Sequence, residues 1–245
     1  MTGAMTEKVA LIIGAGDAIG SAIVRKFAER GLTVCAARRN GDKLDELVQE
    51  LTAAGHRAHA FSCDARKEEA IVDLYARIEA EIGELEVVIF NVGANVPLGI
   101  LETDSRKFHK IWEMACFAGF LSGREAARHM LPRGRGTIIF TGATASVRGA
   151  AGFAAFASAK HGLRALAQSM ARELGPQNIH VAHVVIDAAV DTAWIRDMFA
   201  DFEQRKAEDA IVNPDDLASN YVTLYDQPRS AWTFEMDVRP WQENW

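Results

Sequence analysis

Short runs of aliphatic and β-branched residues alternate along this chain with longer stretches whose apolar positions recur every three or four residues. VALIIG (9–14), TVCAA (33–37), AHAFSCD (58–64), VVIFN (87–91), TIIFTG (137–142), HVAHVVID (180–187) and WTFEMDV (232–238) read as seven strands, being short and rich in residues that suit a buried pleated surface. Between them, Leu44, Leu47, Val48 and Leu51 share one face of a helix, and Ile71, Leu74, Tyr75, Ile78 and Ile82 share one face of another. Asn213-Pro214-Asp215-Asp216 has the order of a helix start: a cap, a proline in the first turn, then acids at the positive end of the dipole. Strands without a polar face, alternating with amphipathic helices, predict an α/β fold with a parallel sheet covered on both sides. No linker, repeat or low-complexity segment breaks the pattern, so residues 1–245 read as a single domain.

Composition narrows the function. Apolar residues make up 49% of the chain, enough for a sizeable core. A net charge of −6 and the lack of an arginine-lysine stripe exclude a protein built to grip nucleic acid. Cys35, Cys63 and Cys116 are odd in number and far apart, which suits free thiols in a reducing compartment and neither a disulfide framework nor a zinc site. MTGAMTEK lacks the charged start and apolar run of a secretory signal, and no apolar run is long enough for a bilayer. The expectation is a cytoplasmic protein with neither metal, nucleic-acid nor membrane partner.

The first strand runs directly into GAGDAIG (14–20), which opens the helical stretch SAIVRKFAERG. A glycine-rich loop in that setting permits a tight turn and brings a pyrophosphate close to the free amides of a helix N-terminus. Gly14, Gly16, Asp17, Ile19 and Gly20 are thus candidate cofactor residues; the alternative is a tight strand–helix turn without a ligand.

Further segments follow in order: CDA (63–65), NVG (91–93), FASAK (156–160) and VDT (190–192). With the glycine loop, they resemble the short-chain dehydrogenase/reductase family over residues 8–192, and the last strand resembles it loosely. The resemblance implies a Rossmann-type doubly wound sheet of about seven strands that binds a nicotinamide dinucleotide. It also implies an oxidoreductase acting on a carbonyl or alcohol, usually as a homodimer or homotetramer. It places Asp64 and Ala65 by the adenine, Asn91 and Gly93 after the fourth strand, and Lys160 and Thr192 toward the nicotinamide.

Strand two ends in AARRN, with Arg38 and Arg39 where an acid would take the ribose 2′-hydroxyl. Guanidinium matches phosphate in shape and charge, so NADP is expected, with NAD possible and solvated loop arginines as the alternative. Asp17 either repels a 2′-phosphate or pairs with Arg38, and Ala18 replaces a usual glycine.

The catalytic positions depart from the family pattern. Phe156 stands at the position of the tyrosine acid, Ala143 at the serine and Cys116 at the asparagine; Lys160 alone is kept. Phenylalanine transfers no proton, so proton delivery is atypical or the chain is an inactive dinucleotide-binding sensor or partner. Candidate substitutes are Thr144, beside Ala143, and Asp187, at the end of strand six, where a carboxyl among apolar groups would suit proton transfer or else merely cap a turn. Lys160 is a further candidate if burial weakens its hold on the proton. Cys116 reads as a thiol acid or an inert buried thiol, His161 as a packing residue, and His183 as a core histidine with a backbone partner. Residues 193–210 resemble the family's substrate lid, with Trp194, Ile195, Met198, Phe199 and Phe202 on one apolar helical face. If Phe153 and Phe156 face it, an apolar small-molecule substrate follows. In the tail, 230–245, Trp232, Phe234, Met236 and Val238 alternate as one face of a strand, and Trp241 and Trp245 suit an interface or packing on the chain itself.

Overall fold

The computed structural model of the chain describes residues 7–243; Trp245, counted above with the aromatic tail, lies outside them. Seven strands form one sheet: β1 (Lys8–Ile13), β2 (Thr33–Arg38), β3 (Ala58–Ser62), β4 (Glu84–Phe90), β5 (Gly136–Thr141), β6 (Ile179–Ile186) and β7 (Glu235–Val238). Their order is β3-β2-β1-β4-β5-β6-β7, and every pairing is parallel. The chain winds outward from β1 to β3, then returns past β1 to build the other half. The order therefore reverses between β1 and β4, where an open α/β sheet leaves a crevice at its carboxyl edge.

Nine helices connect the strands: α1 (Ile19–Glu29), α2 (Asp45–Ala53), α3 (Glu68–Glu81), α4 (Ser105–Trp112), α5 (Ala118–Met130), α6 (Ala154–Leu174), α7 (Ala193–Met198), α8 (Phe202–Ala207) and α9 (Pro214–Tyr225) among the described residues. Side chains alternate across the strands, so two cores form. Val9, Leu11 and Ile13 pack with α3, α5 and α6, whereas Ala10 and Ile12 pack with α1, α2 and α9. The helix faces follow the periodicity: Leu44, Leu47 and Leu51 are buried, as are Ile71, Leu74, Tyr75 and Ile78. Val48 and Ile82, at the margins of those faces, are half-buried. The Asn213 side chain accepts from the Asp215 amide at 2.8 Å, capping α9 as its sequence requires.

Two expected elements differ. β7 begins at Glu235, not at residue 232. A short turn, Arg229–Ala231, precedes it, and the Gln227 side chain accepts from the Thr233 amide at 2.7 Å. Trp232 is thereby placed flat against His180, ring centroids 4.9 Å apart. Phe234 packs on one core and Met236 and Val238 on the other, so the four residues do not share a face. Residues 193–210 form two short helices broken at Phe199, whose backbone is extended. Ile195 and Phe202 turn inward against Ile211, while Trp194 and Met198 are about half exposed at 47% and 50%. Among the described residues no helix is long and apolar enough to cross a membrane.

Candidate functional site

At the end of β1 the chain turns on Gly14, whose φ of +88° favours glycine and where a Cβ would sit 2.6 Å from the Asn91 carbonyl oxygen. Asn91 Nδ2 donates to the Gly14 carbonyl at 3.0 Å, tying the loop to the end of β4. At Gly20 a Cβ would meet the Gly14 oxygen at 2.5 Å, so this glycine lets α1 close onto the loop. Gly16 and Gly93 differ: a Cβ on either meets nothing within 4 Å, and both line a cavity of about 560 Å³. Bare backbone thus faces that cavity. No side chain caps α1 and no acid lies in its first turn, so its positive end is open to an anion. The residues present fit a dinucleotide.

The cavity runs from Arg38, Arg39 and Lys43, at the end of β2, past Asp64 and Ala65 to Asn91 and Gly93. Arg38 Nη1 is 2.5 Å from Asp17 Oδ1, so Asp17 pairs with this arginine and latches the glycine loop to β2. Arg39 and Lys43 stand on the rim outside the ion pairs formed among the described residues. Sequence reasoning missed Lys43 and Arg66. Arg66 donates from Nε and Nη2 to the two Asp64 oxygens, at 2.8 and 2.6 Å, and from its amide at 3.2 Å. Those bonds hold the Asp64 carboxyl below its usual range, with Arg39 adding a smaller share. An arginine two residues after an aspartate that begins a turn was the available signal.

A second cavity, of about 310 Å³, shares Asn91, Val92 and Gly93 with the first and continues it toward α6. Phe156 and Lys160, one helical turn apart, both line it, with Ala143, Ile19, Thr192 and Trp194. Asn95 and Val190, not foreseen, line it too. Thr192 accepts from the Ile195 amide at 3.2 Å and so caps α7. Lys160 is 2% exposed and donates to the carbonyls of Thr141 and Val92, at 2.8 and 3.2 Å. Its Nζ lies 5.9 Å from the centre of the Phe156 ring. Burial pushes its pKa down to about 8, with the Cys116 thiol pulling weakly the other way.

The other catalytic candidates are turned away. Thr144 Oγ1 donates to Asp187 Oδ1 at 2.6 Å. Arg148 Nη2 donates to the same oxygen at 3.2 Å, and Arg239 Nη1 stands 3.7 Å from the second. Asp187 is therefore 3% exposed among cations and a hydroxyl, not among apolar groups. Neither it nor Thr144 lines the cavity around Lys160. Cys116 sits in a wide helical turn, Glu113–Phe117, with Sγ against Gly162, and burial pushes its thiol up. It does not line the cavity either, and neither does Phe153, which packs against the cluster around Phe156. His161 is spent on the Ala157 carbonyl at 2.9 Å. His183 has a carboxylate partner, not a backbone one: β7 sets Glu235 opposite it, and Nδ1 donates to Oε2 at 3.0 Å. Arg164 grips that carboxylate through two bonds of 2.6 Å, and burial pushes His183 down to about 4. Tyr221, remote in sequence, reaches the Thr141 hydroxyl at 2.8 Å from α9 but is fully buried on the opposite face of the sheet.

A family model described as short chain dehydrogenase matches residues 8–202. The crystal structure of a short-chain dehydrogenase from Rhodopseudomonas palustris is 54% identical, superposes with a TM-score of 0.83, and covers 96% of this chain and 99% of its own. A metagenomic short-chain oxidoreductase crystallised with NADP is 26% identical with a TM-score of 0.82, covering 98% and 99%. Among characterised relatives, the cis-4-hydroxycyclohexanecarboxylate dehydrogenase of Sinomonas cyclohexanicum is 31% identical over 81% of this chain and 79% of its own.

Proposed function

The chain belongs to the short-chain dehydrogenase family, and from that premise we propose that it is an NADP-preferring oxidoreductase acting on a carbonyl or alcohol of an apolar small molecule. The observation that carries this reading is the continuity of the two cavities through Asn91, Val92 and Gly93. Those shared residues give a dinucleotide laid along the glycine loop a route inward to Lys160.

In this reading Gly14, Gly16 and the N-terminus of α1 hold the pyrophosphate, and Asp64, clamped by Arg66, meets the adenine. Arg39 and Lys43 take the 2′-phosphate, since Arg38 is already neutralised by Asp17. Lys160, Thr192 and Asn91 border the nicotinamide end. When bound, the reduced nicotinamide supplies a hydride. Phe156, Ile186, Val190 and Trp194 give the inner cavity an apolar wall that favours an apolar ring or chain and excludes water. The helices of residues 193–210 act as its lid. Assembly as a homodimer or homotetramer belongs to the same reading; the aromatic side chains of Phe108, Trp112 and Phe120, partly exposed along α4 and α5, support it. The relative active on a hydroxycyclohexanecarboxylate makes cyclic ketones and alcohols the first compounds to try.

The second reading, an inactive dinucleotide-binding protein, draws on Phe156 and Ala143, which put a phenyl ring and a methyl where the family has hydroxyls. The test is turnover of NADPH with a panel of cyclic ketones, and of NADP with the matching alcohols. Oxidation of NADPH that depends on the ketone supports the enzyme. Tight NADPH binding without turnover across the panel supports the inactive binder.

A further inference from the structure

The geometry points to Lys160 as the proton donor itself, taking the place of the absent tyrosine rather than assisting one. This rests on the oxidoreductase reading above. Among the residues lining the inner cavity, Lys160 is the one side chain that titrates. Thr144 and Asp187 are bound to each other, His161 to its own helix and His183 to Glu235. The two backbone carbonyls that hold Nζ use two of its three N–H bonds. The third remains for a substrate oxygen lying in the cavity beside Phe156. The phenyl ring shields the ammonium from water where a phenol would have stood next to it.

An acid is useful when it holds its proton at working pH yet releases it without a large penalty. An ordinary lysine fails the second condition. Burial meets it here, bringing Lys160 to about 8. The titratable groups that bear on Lys160 from the elements packed against it are Cys116, on the turn before α5, and His183, on β6. Neither is an anion near neutral pH, since burial raises the one thiol and keeps the histidine neutral. Of that pair, Cys116 raises the lysine only weakly against burial, and His183 does not raise it.

Hydride from a reduced nicotinamide adds to the carbonyl carbon, and the C=O π pair moves onto oxygen. That oxygen takes a proton from the Lys160 ammonium; one N–H bond breaks and one O–H bond forms. The substrate gains two electrons, the nicotinamide loses them, and the neutral amine recovers a proton from solvent.

The test combines a spectroscopic and a kinetic readout on the full chain. In protein labelled with 13C at lysine Cε, one lysine resonance is expected to titrate near 8 and to vanish in Lys160→Arg. Arginine keeps the charge and donors but does not release a proton, so this variant is expected to bind NADPH within about tenfold of the parent. Its ketone reduction is expected to fall by about a hundredfold or more. Adding Phe156→Tyr to that variant supplies a phenol and is expected to restore part of the rate. In the parent, the rate of reduction should decline as pH rises through about 8. A Lys160 resonance titrating above about pH 10, or an arginine variant as fast as the parent, overturns the proposal while leaving the oxidoreductase reading intact. A parent that binds NADPH and reduces no ketone of the panel overturns both.

Discussion

Asp187 and His183 show how single side chains were assigned to structure rather than chemistry by neighbours distant in sequence. The sequence sets Asp187 among apolar groups or in a turn cap, but Arg148 and Arg239 approach it from 39 residues upstream and from the tail. Asp187→Ala should lower stability by about 2 kcal/mol, less than the roughly 3–5 kcal/mol for breaking a fully buried pair, because Arg148 can hydrate once released. Equilibrium denaturation measures this, and an unchanged midpoint would contradict it. His183 makes a pH prediction. It stays neutral in the fold down to about 4, whereas in the unfolded chain it takes a proton near its ordinary value of 6.5. Between those values the unfolded state binds more protons, so stability falls as pH falls from about 6.5 to 4, by up to about 3 kcal/mol. His183→Gln should flatten the pH dependence of the melting temperature in that window. A variant that loses stability on acidification as steeply as the parent would place the effect elsewhere.

At the scale of elements, the glycine loop is a packing device before it is a binding one. The Gly20 position faces the backbone of Gly14 and Ala15 at 2.5 and 2.6 Å, so an added methyl must push α1 off the loop. Gly20→Ala should cost about 1–3 kcal/mol and, on the proposed function, weaken NADPH binding at the same time, because the amides that would receive the pyrophosphate move with the helix. Calorimetric melting and titration of the one variant test both, and a loss of stability without loss of affinity would separate the loop from the cofactor. The strands β1, β2, β4, β5 and β6 are legible in the sequence because strands buried on both faces carry near-continuous apolar runs, which His180 and His183 interrupt only in β6. β7 was misjudged by three residues because Trp232 and Phe234 look like strand residues, yet a side-chain bond from Gln227 and the face of His180 decide their place. The periodicity after Thr192 predicts one apolar face because it does not register the extended backbone at Phe199.

Across the whole molecule, a net charge of −6 conceals a local cationic rim at the end of β2. The residues that line the outer cavity are legible as a group since their motifs are local: a loop, a strand end, a helix start. The chemical half was legible only as a loss, at Phe156 and Ala143. Which group could replace it depends on what each candidate touches, and those partners come from the loop after β5, α6, β6, β7 and the tail. If Arg39 and Lys43 take the 2′-phosphate as proposed, NADPH affinity should fall with added salt more steeply than NADH affinity, because only the former carries that phosphate. Parallel slopes would mean that Arg39 and Lys43 do not engage the 2′-phosphate. The most direct test is calorimetric titration of protein stripped of nucleotide, first with NADPH and then with NADH. Binding of NADPH at least about tenfold tighter than NADH is the predicted result. Preference for NADH would contradict the phosphate site at Arg39 and Lys43, and binding of neither would contradict the cofactor cleft and the oxidoreductase built upon it.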